Sequence, residues 1–225
     1  MPPPLPSGGI AFTHQPAVAA LNISARSFVA ARPLIAGAAT GALVFSRVPT
    51  PTAPAGEDRV LLIQRAPHDS MPLRWEIPGG ACDWDDETML HGLARELWEE
   101  AGLRLRDVVR QVGEERTFLT RRGLGVVKVV FEVEVETGAE AGSAEGEGRL
   151  EREEAVVPEV VLDPNEHVRF LWATEEECRA GRVVVLGSTG ESEGVDIEFT
   201  TPDERAVILL GLQLKRESRE STTAT

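Results

Sequence analysis

The stretch "GLARELWEEAGL", residues 92–103, is the part of the chain from which the rest can be read. It sets Glu96, Glu99 and Glu100 close together, beside Arg95 and just ahead of Gly102. On a helix turning about 100° per residue, Leu90, Leu93, Ala94, Leu97 and Ala101 form one stripe, the face a core would take. The three glutamates fall within an arc of about 100° on the far side, spaced i, i+3, i+4, so their carboxylates can reach one point above the surface. Thr88 is the expected N-cap, with Asp86 as competitor, and Gly102 the expected residue just past the end. Arg95 can meet Glu99 one turn on, which leaves Glu96 and Glu100 without a local partner. Like charges at this spacing cost a few tenths of a kcal/mol per pair. A hard divalent cation taking oxygen ligands would reverse the sign of that interaction. A solvated acidic face is the competing reading, and the spacing alone does not separate the two.

Composition narrows the field. The 225 residues suffice for one sizeable domain, and 42% of them are hydrophobic, enough for a core. A net charge of −14 argues against sequence-independent binding to DNA or RNA, which relies on lysine and arginine at the phosphates. It leaves room for an anionic small molecule if a divalent metal brings the positive charge. Two cysteines, Cys82 and Cys178, make neither a disulfide framework nor a paired metal motif, and they suggest a reducing compartment. No apolar run is long enough for a membrane span and no secretory signal is apparent. Residues 1–56 hold Arg26, Arg32 and Arg47 and no acid, a loose likeness to a transit peptide. The expected location is therefore cytoplasmic, with mitochondrial as the alternative.

The chain around the helix reads as alternating strands and loops. Residues 1–37 are expected as a flexible leader with a short helix ending before Pro33. Residues 39–47 and 60–65 read as strands that pair across a Pro-rich loop. In "GVVKVVFEVEVE", Phe131, Val133 and Val135 face one way and Glu132, Glu134 and Glu136 the other, the pattern of a half-buried strand. Residues 137–155, rich in Gly, Ala and Glu, read as a solvated loop insertion. Residues 168–173 form another strand. Thr174 with Glu177 makes a capping box for a short helix stopping at Gly181, and Thr201 with Glu204 makes a second one with Pro202 at the first helical position. Residues 218–225 are expected as a polar tail. The class is α+β, or a mixed-sheet α/β/α sandwich, with its main domain over residues 38–217.

Taken as one unit, "GGACDWDDETMLHGLARELWEEAGL" resembles the signature box of the Nudix hydrolases, over residues 80–103. Glu87, seven intervening residues, then Arg95-Glu96-Leu97-Trp98-Glu99-Glu100-Ala101-Gly102-Leu103 match the family's pattern in order. Six residues rather than five separate Gly80 from Glu87, which bears on where Glu87 is placed. "RWEIPGG" looks like the family's lead-in, and "LDPNEHVRFLWATEEE" like its later segment. The resemblance implies metal-dependent hydrolysis of a diphosphate bond in a nucleoside diphosphate linked to another moiety, by water attack on phosphorus. It implies Glu96, Glu99, Glu100 and Arg95 as catalytic residues. It implies Mg²⁺ or Mn²⁺ held by Glu96, Glu99, Glu100, Glu87, Gly80 and Glu166. Arg95 is read as an orienter of the glutamates, and the proton acceptor as one of the cluster or a loop carboxylate. His91 and His167 are read as surface histidines, and Trp75, Trp84 and Trp98 as core or rim packing. A nucleotide-type small molecule is the expected partner, with no nucleic acid or membrane, and a homodimer is left open as the assembly. Subfamily markers do not select a substrate: the chain has no Tyr and lacks the NADH-type array. A non-catalytic ligand-sensing or interaction module of the same fold is the alternative.

Overall fold

The computed structural model describes residues 9–48, 56–120, 122–137, 157–186 and 192–223. Residues 138–155 of the expected acidic insertion lie outside these. In chain order the elements are β1 (Thr13–His14), a 3₁₀ turn (Pro16–Leu21), α1 (Ala25–Ala30), β2 (Ile35–Val48), β3 (Glu57–Arg65), β4 (Trp75–Glu76), α2 (Met89–Ala101), β5 (Leu105–Gln111), β6 (Arg116–Leu119), β7 (Gly125–Val135), β8 (His167–Ala173), α3 (Glu175–Ala180), β9 (Arg182–Leu186), β10 (Ser192–Asp196) and α4 (Pro202–Thr223). The sheet runs β1-β5-β7-β2-β3-β4, with β6 added to β7 and β8 to β3. Strands β2 and β7 pair in parallel at its centre, while β2 with β3, β3 with β8 and β5 with β7 are antiparallel. Strands β9 and β10 form a separate hairpin. This is the expected mixed sheet.

The central strands are buried on both faces, and two cores result. Ala42, Val44, Leu61, Ile63, Val129 and Phe131 pack on one side with α1 and α2. Leu43, Val60, Leu62 and Val130 pack on the other with α3 and α4. Helix α2 buries the stripe that its periodicity predicts: Leu90, Leu93, Ala94, Leu97 and Ala101 are all in the core, the larger ones contributing about 1.5–3 kcal/mol each. Thr88 caps it, accepting the His91 N–H, and Gly102 ends it at φ 65°. The box at Thr174 and Glu177 forms in full. The second forms by half: Thr201 accepts the Glu204 N–H, but the Glu204 carboxylate turns inward to Ile77 and Lys128.

Three expectations need correction. The segment read as a flexible leader packs closely from Ile10 onward. Val18, Ala25 and Phe28 are in the core, Arg32 covers the Phe28 ring at 3.6 Å, and β1 extends the sheet beside β5. Apolar residues at helical spacing outweigh the lack of charge there. Glu132 does not face water. It is 2% exposed, because α4 lies over that face of β7, and it is matched by Arg110 at 2.6 Å and Lys215 at 2.8 Å. Glu134, by contrast, pairs with Arg106 at a half-exposed position, as the alternation predicts. The polar tail is helical to Thr223, anchored by Arg219 on Asp58 at 2.7 Å and by a Ser218 hydroxyl returned to the Leu214 carbonyl. Among the described residues no helix is long and apolar enough to cross a membrane.

If the N-terminal segment is part of the core, Phe28→Ala should destabilise the chain by about 3–5 kcal/mol. Urea denaturation followed by circular dichroism measures this, and a change near zero would mean the segment is not integral to the fold.

Candidate metal centre and adjoining cleft

The site is built where a glycine turn passes between β2 and α2. Ala42 N–H donates to the Pro78 carbonyl at 2.8 Å and Thr40 N–H to the Gly80 carbonyl at 2.9 Å, so the turn lies along the strand like an added edge. Gly79 adopts φ 143°, and a Cβ there would sit 2.3 Å from the Thr40 carbonyl oxygen. A Cβ on Gly80 would sit 2.5 Å from Glu96 Oε2. At Gly79 only a residue without a side chain fits this approach, whereas at Gly80 a side chain would displace the Glu96 carboxylate. Gly80 was expected among the metal ligands. Its carbonyl accepts from Thr40 and keeps a second lone pair, and the residue's bare Cα gives Glu96 clearance.

Arg95 organises the outer half of the cluster. Its guanidinium grips Asp86 with two nitrogens at 3.1 and 3.0 Å, donates to Glu96 at 2.9 Å and Glu99 at 2.8 Å, and reaches the Ala81 carbonyl at 2.8 Å. Glu96 is therefore paired, contrary to the expectation from helix spacing alone, because a planar five-donor fork serves several carboxylates at once. The extra residue before the helix is resolved here. Asp86, one residue earlier, takes the place beside Arg95. Glu87 turns outward, its side chain 80% exposed and 3.5 Å from His91 Nε2. Glu87 is thus not brought to the cluster.

Glu100 lies deeper. Its Oε2 accepts the Gly79 N–H at 2.6 Å, and its Oε1 is 4.0 Å from His167 Nε2. His167 is buried, contrary to the expectation of a surface residue, and its Nε2 is also 3.4 Å from Glu76 Oε1. It stands at the start of β8, whose bulge against β3 sets it opposite Arg65. Glu76 in turn is engaged by Arg65, which also holds Asp69. Glu100, Glu166 and His167 each offer a ligand atom, all within 4.8 Å of one another. The candidate carboxylate from outside the helix, Glu166, is brought to Glu100, as the later-segment resemblance suggested. Glu76 and His167 were not read as site residues. Their signal lay in "RWEIPGG" and "NEHVRF", which were recognised as flanking segments without roles for those two side chains.

Electrostatics mark this as a place short of positive charge. Burial pushes the Glu96 carboxyl up to about 7; Arg95 pulls it back, while Glu99 and Glu166 add to the rise. Burial likewise drives Glu100 well above the usual carboxylate range, against the Gly79 N–H and with help from Glu76, Glu96 and Glu166. The donor set suits a divalent cation: carboxylate oxygens for a hard ion, close together, partly desolvated and mutually repulsive without one.

Beside the cluster opens a cleft of about 420 Å³, with Glu76, Gly79 and Gly80 on one wall and Met71, Phe118 and Lys128 among its other lining residues. Lys128 Nζ lies 3.1 and 3.3 Å from the oxygens of Glu204, which also accepts the Ile77 N–H at 3.2 Å. Arg116 on β6 meets Asp203 at the start of α4 at 2.6 Å. Met71, half-exposed on the wall, and Leu73 adopt left-handed backbone at φ 55° and 60°.

Residues 50–182, more than half of the chain, match the family model of the NUDIX domain. A MutT-like protein of Streptomyces ambofaciens is 36% identical over 89 residues, 40% of this chain and 51% of that one, so the chain spans about half the length of this curated relative. Among solved structures, the MutT protein of Methanosarcina mazei Go1 aligns at 20% identity over 82% of this chain and 94% of that one, with a TM-score of 0.44. RenU, a Nudix hydrolase of M. smegmatis, aligns at 20% identity over 82% and 86%, with a TM-score of 0.46.

The raised carboxyl has a measurable consequence. Glu96 titrates at about 7 in the fold against 4.5 ordinarily. The folded chain therefore holds a proton that the unfolded chain releases, and stability falls as pH rises between those values. In buffer with a chelator, the wild-type melting temperature should drop relative to Glu96→Gln between about pH 5 and pH 8, by the equivalent of roughly 1–3 kcal/mol. A difference between the two that stays flat over this window would contradict the assignment.

Proposed function

The chain belongs to the Nudix hydrolase family, and from that premise we propose that it hydrolyses a diphosphate bond in a nucleoside diphosphate linked to another moiety, using Mg²⁺ or Mn²⁺. The observation that carries this reading is the convergence of Glu100 and Glu166, from separate segments of the chain, on one point beside the Arg95-bound Glu96 and Glu99. A structural helix has no use for such a cluster next to an open cleft.

Glu96, Glu99, Glu100 and Glu166 would hold the divalent ion. When bound, it supplies the positive charge that lets water approach an anionic diphosphate and makes that water easier to deprotonate. The chain's own residues do the rest. Arg95 fixes the rotamers of Glu96 and Glu99 through one nitrogen shared between them and acts as a positioning residue. The Gly79 N–H fixes Glu100 Oε2 and leaves Oε1 to the cluster. The attacking water gives its proton to a carboxylate of this group. Glu99, the most exposed of the three helix glutamates, is the one open to a substrate water. The cleft takes the nucleotide, its apolar wall at Phe118 and Val126 offering surface to a base and Lys128 a cation to an acceptor oxygen. Glu87 is left out of the ligand set on its outward placement.

A screen of Mg²⁺-dependent product release tests the reading on nucleotide sugars, ADP-ribose, NADH, coenzyme A, dinucleoside polyphosphates and damaged nucleoside triphosphates. Glu99→Gln and Glu100→Gln should each lower turnover by about 10²-fold or more while leaving the circular dichroism spectrum unchanged. Full activity in both variants, or activity that survives a chelator, would remove the mechanism. Tight ligand binding without turnover would make the chain a sensor.

A further inference from the structure

The buried imidazole of His167 is not used by the reading above, and its surroundings are unbalanced. The residue is 2% exposed, and its Nδ1 is buried with no hydrogen-bond partner among the described residues. Its Nε2 points to carboxylate oxygens of Glu76 and Glu100 at 3.4 and 4.0 Å. Neither neutral tautomer satisfies this arrangement. With the hydrogen on Nε2, Nδ1 becomes a buried lone pair with no donor. With the hydrogen on Nδ1, that group is a buried donor with no acceptor, and the Nε2 lone pair faces two oxygens. Nδ1 lacks a partner in either form, so what separates the two is the contact that Nε2 makes with the carboxylates. In the second tautomer a cation between Nε2 and the carboxylates turns the repulsive contact into an attractive one.

We propose that His167 is itself a ligand of the divalent ion through Nε2, joining Glu100 and Glu166 and adding one imidazole nitrogen to the carboxylate set proposed above. This rests on the metal-dependent reading of the site. Three ligand atoms within 4.8 Å of one another, supplied by α2 and by the residues that open β8, are close enough to share one ion after small side-chain adjustments. Arg65 holds Glu76 on the other side, which keeps that carboxylate beside the ring and fixes its orientation. An imidazole donor changes which metal the site prefers. Magnesium takes oxygen ligands and is indifferent to a nitrogen, whereas imidazole suits transition ions, with affinity rising from Mn²⁺ to Co²⁺. The site should therefore favour Mn²⁺ and Co²⁺ over Mg²⁺ by more than an all-carboxylate cluster would.

Pulsed electron paramagnetic resonance on the full chain loaded with Mn²⁺ tests this without any substrate. The wild type should show the nitrogen hyperfine coupling of a directly bound imidazole, and His167→Gln should lose it. By calorimetry, His167→Gln should weaken Co²⁺ and Mn²⁺ binding about tenfold or more and Mg²⁺ binding by less than about threefold. Mn²⁺ bound with no nitrogen coupling in the wild type would overturn the assignment and leave the carboxylate site standing. If the variant fails to fold, the wild-type spectrum alone still decides. An absence of any Mn²⁺ binding would overturn both this assignment and the hydrolytic reading.

Discussion

The site depends on how closely a backbone turn approaches a helix. Gly79 and Gly80 run within van der Waals reach of Thr40 on one side and Glu96 on the other, and a single methyl group at either would close the gap. That approach lets a main-chain N–H hold Glu100 at 2.6 Å in a place where the carboxyl is almost wholly removed from water. It also keeps Glu96 under the turn rather than out in solvent. Without this contact the glutamates would be an ordinary charged helix face, screened and independent of one another. With it Glu96 and Glu100 lose enough water for burial to raise their carboxyls, the neighbouring glutamates adding to the rise.

Much of this was legible, and the part that was not has a common cause. The core stripe of α2, its Thr88 cap and its Gly102 end follow from local periodicity, and all three are found in the structure. The pairing of β2 with β3 and the box at Thr174 follow from local rules as well. What escaped depends on partners far along the chain. Glu132 looks like a solvent-facing residue of an alternating strand until α4, some eighty residues later, brings Lys215 over it. His167 looks like a surface histidine until β8 pairs with β3 and carries it to Glu76 and Glu100. Asp86 and Glu87 are chemically alike and adjacent, so only the direction of the chain entering the helix decides which one meets Arg95. The glycine-rich lead-in marked the neighbourhood, but the identities of the partners required the tertiary structure.

The two faces of the sheet contribute differently. The α2 face carries the carboxylate cluster. The α4 face carries Glu204, which steadies Lys128 and the Ile77 amide on the cleft side. Neither β2, which supplies Thr40, nor α4 falls within residues 50–182, where the family model matches. Both nevertheless line the cleft. The cavity is thus shared: Glu76, Gly79 and Gly80 border both it and the carboxylate cluster, while β2 and α4 close it from outside the matched segment.

Met71 and Leu73 illustrate a different economy. Two side-chain-bearing residues hold a left-handed backbone within three positions, at φ 55° and 60°, a geometry that costs an ordinary L-residue roughly 1–2 kcal/mol. Glycine or asparagine would relieve it. The strained loop is clamped at both ends, by the Leu73 N–H on the Arg65 carbonyl and by Arg65 on the Ser70 carbonyl. It holds a thioether and an isobutyl group half-exposed where a soluble surface would normally favour polar groups. Attempts to make the protein hardier by relieving backbone strain would reach these two positions as well as Leu34, which holds φ 78°. At Met71 such a gain in heat tolerance would also strip a side chain from the wall that a visiting molecule meets on arrival.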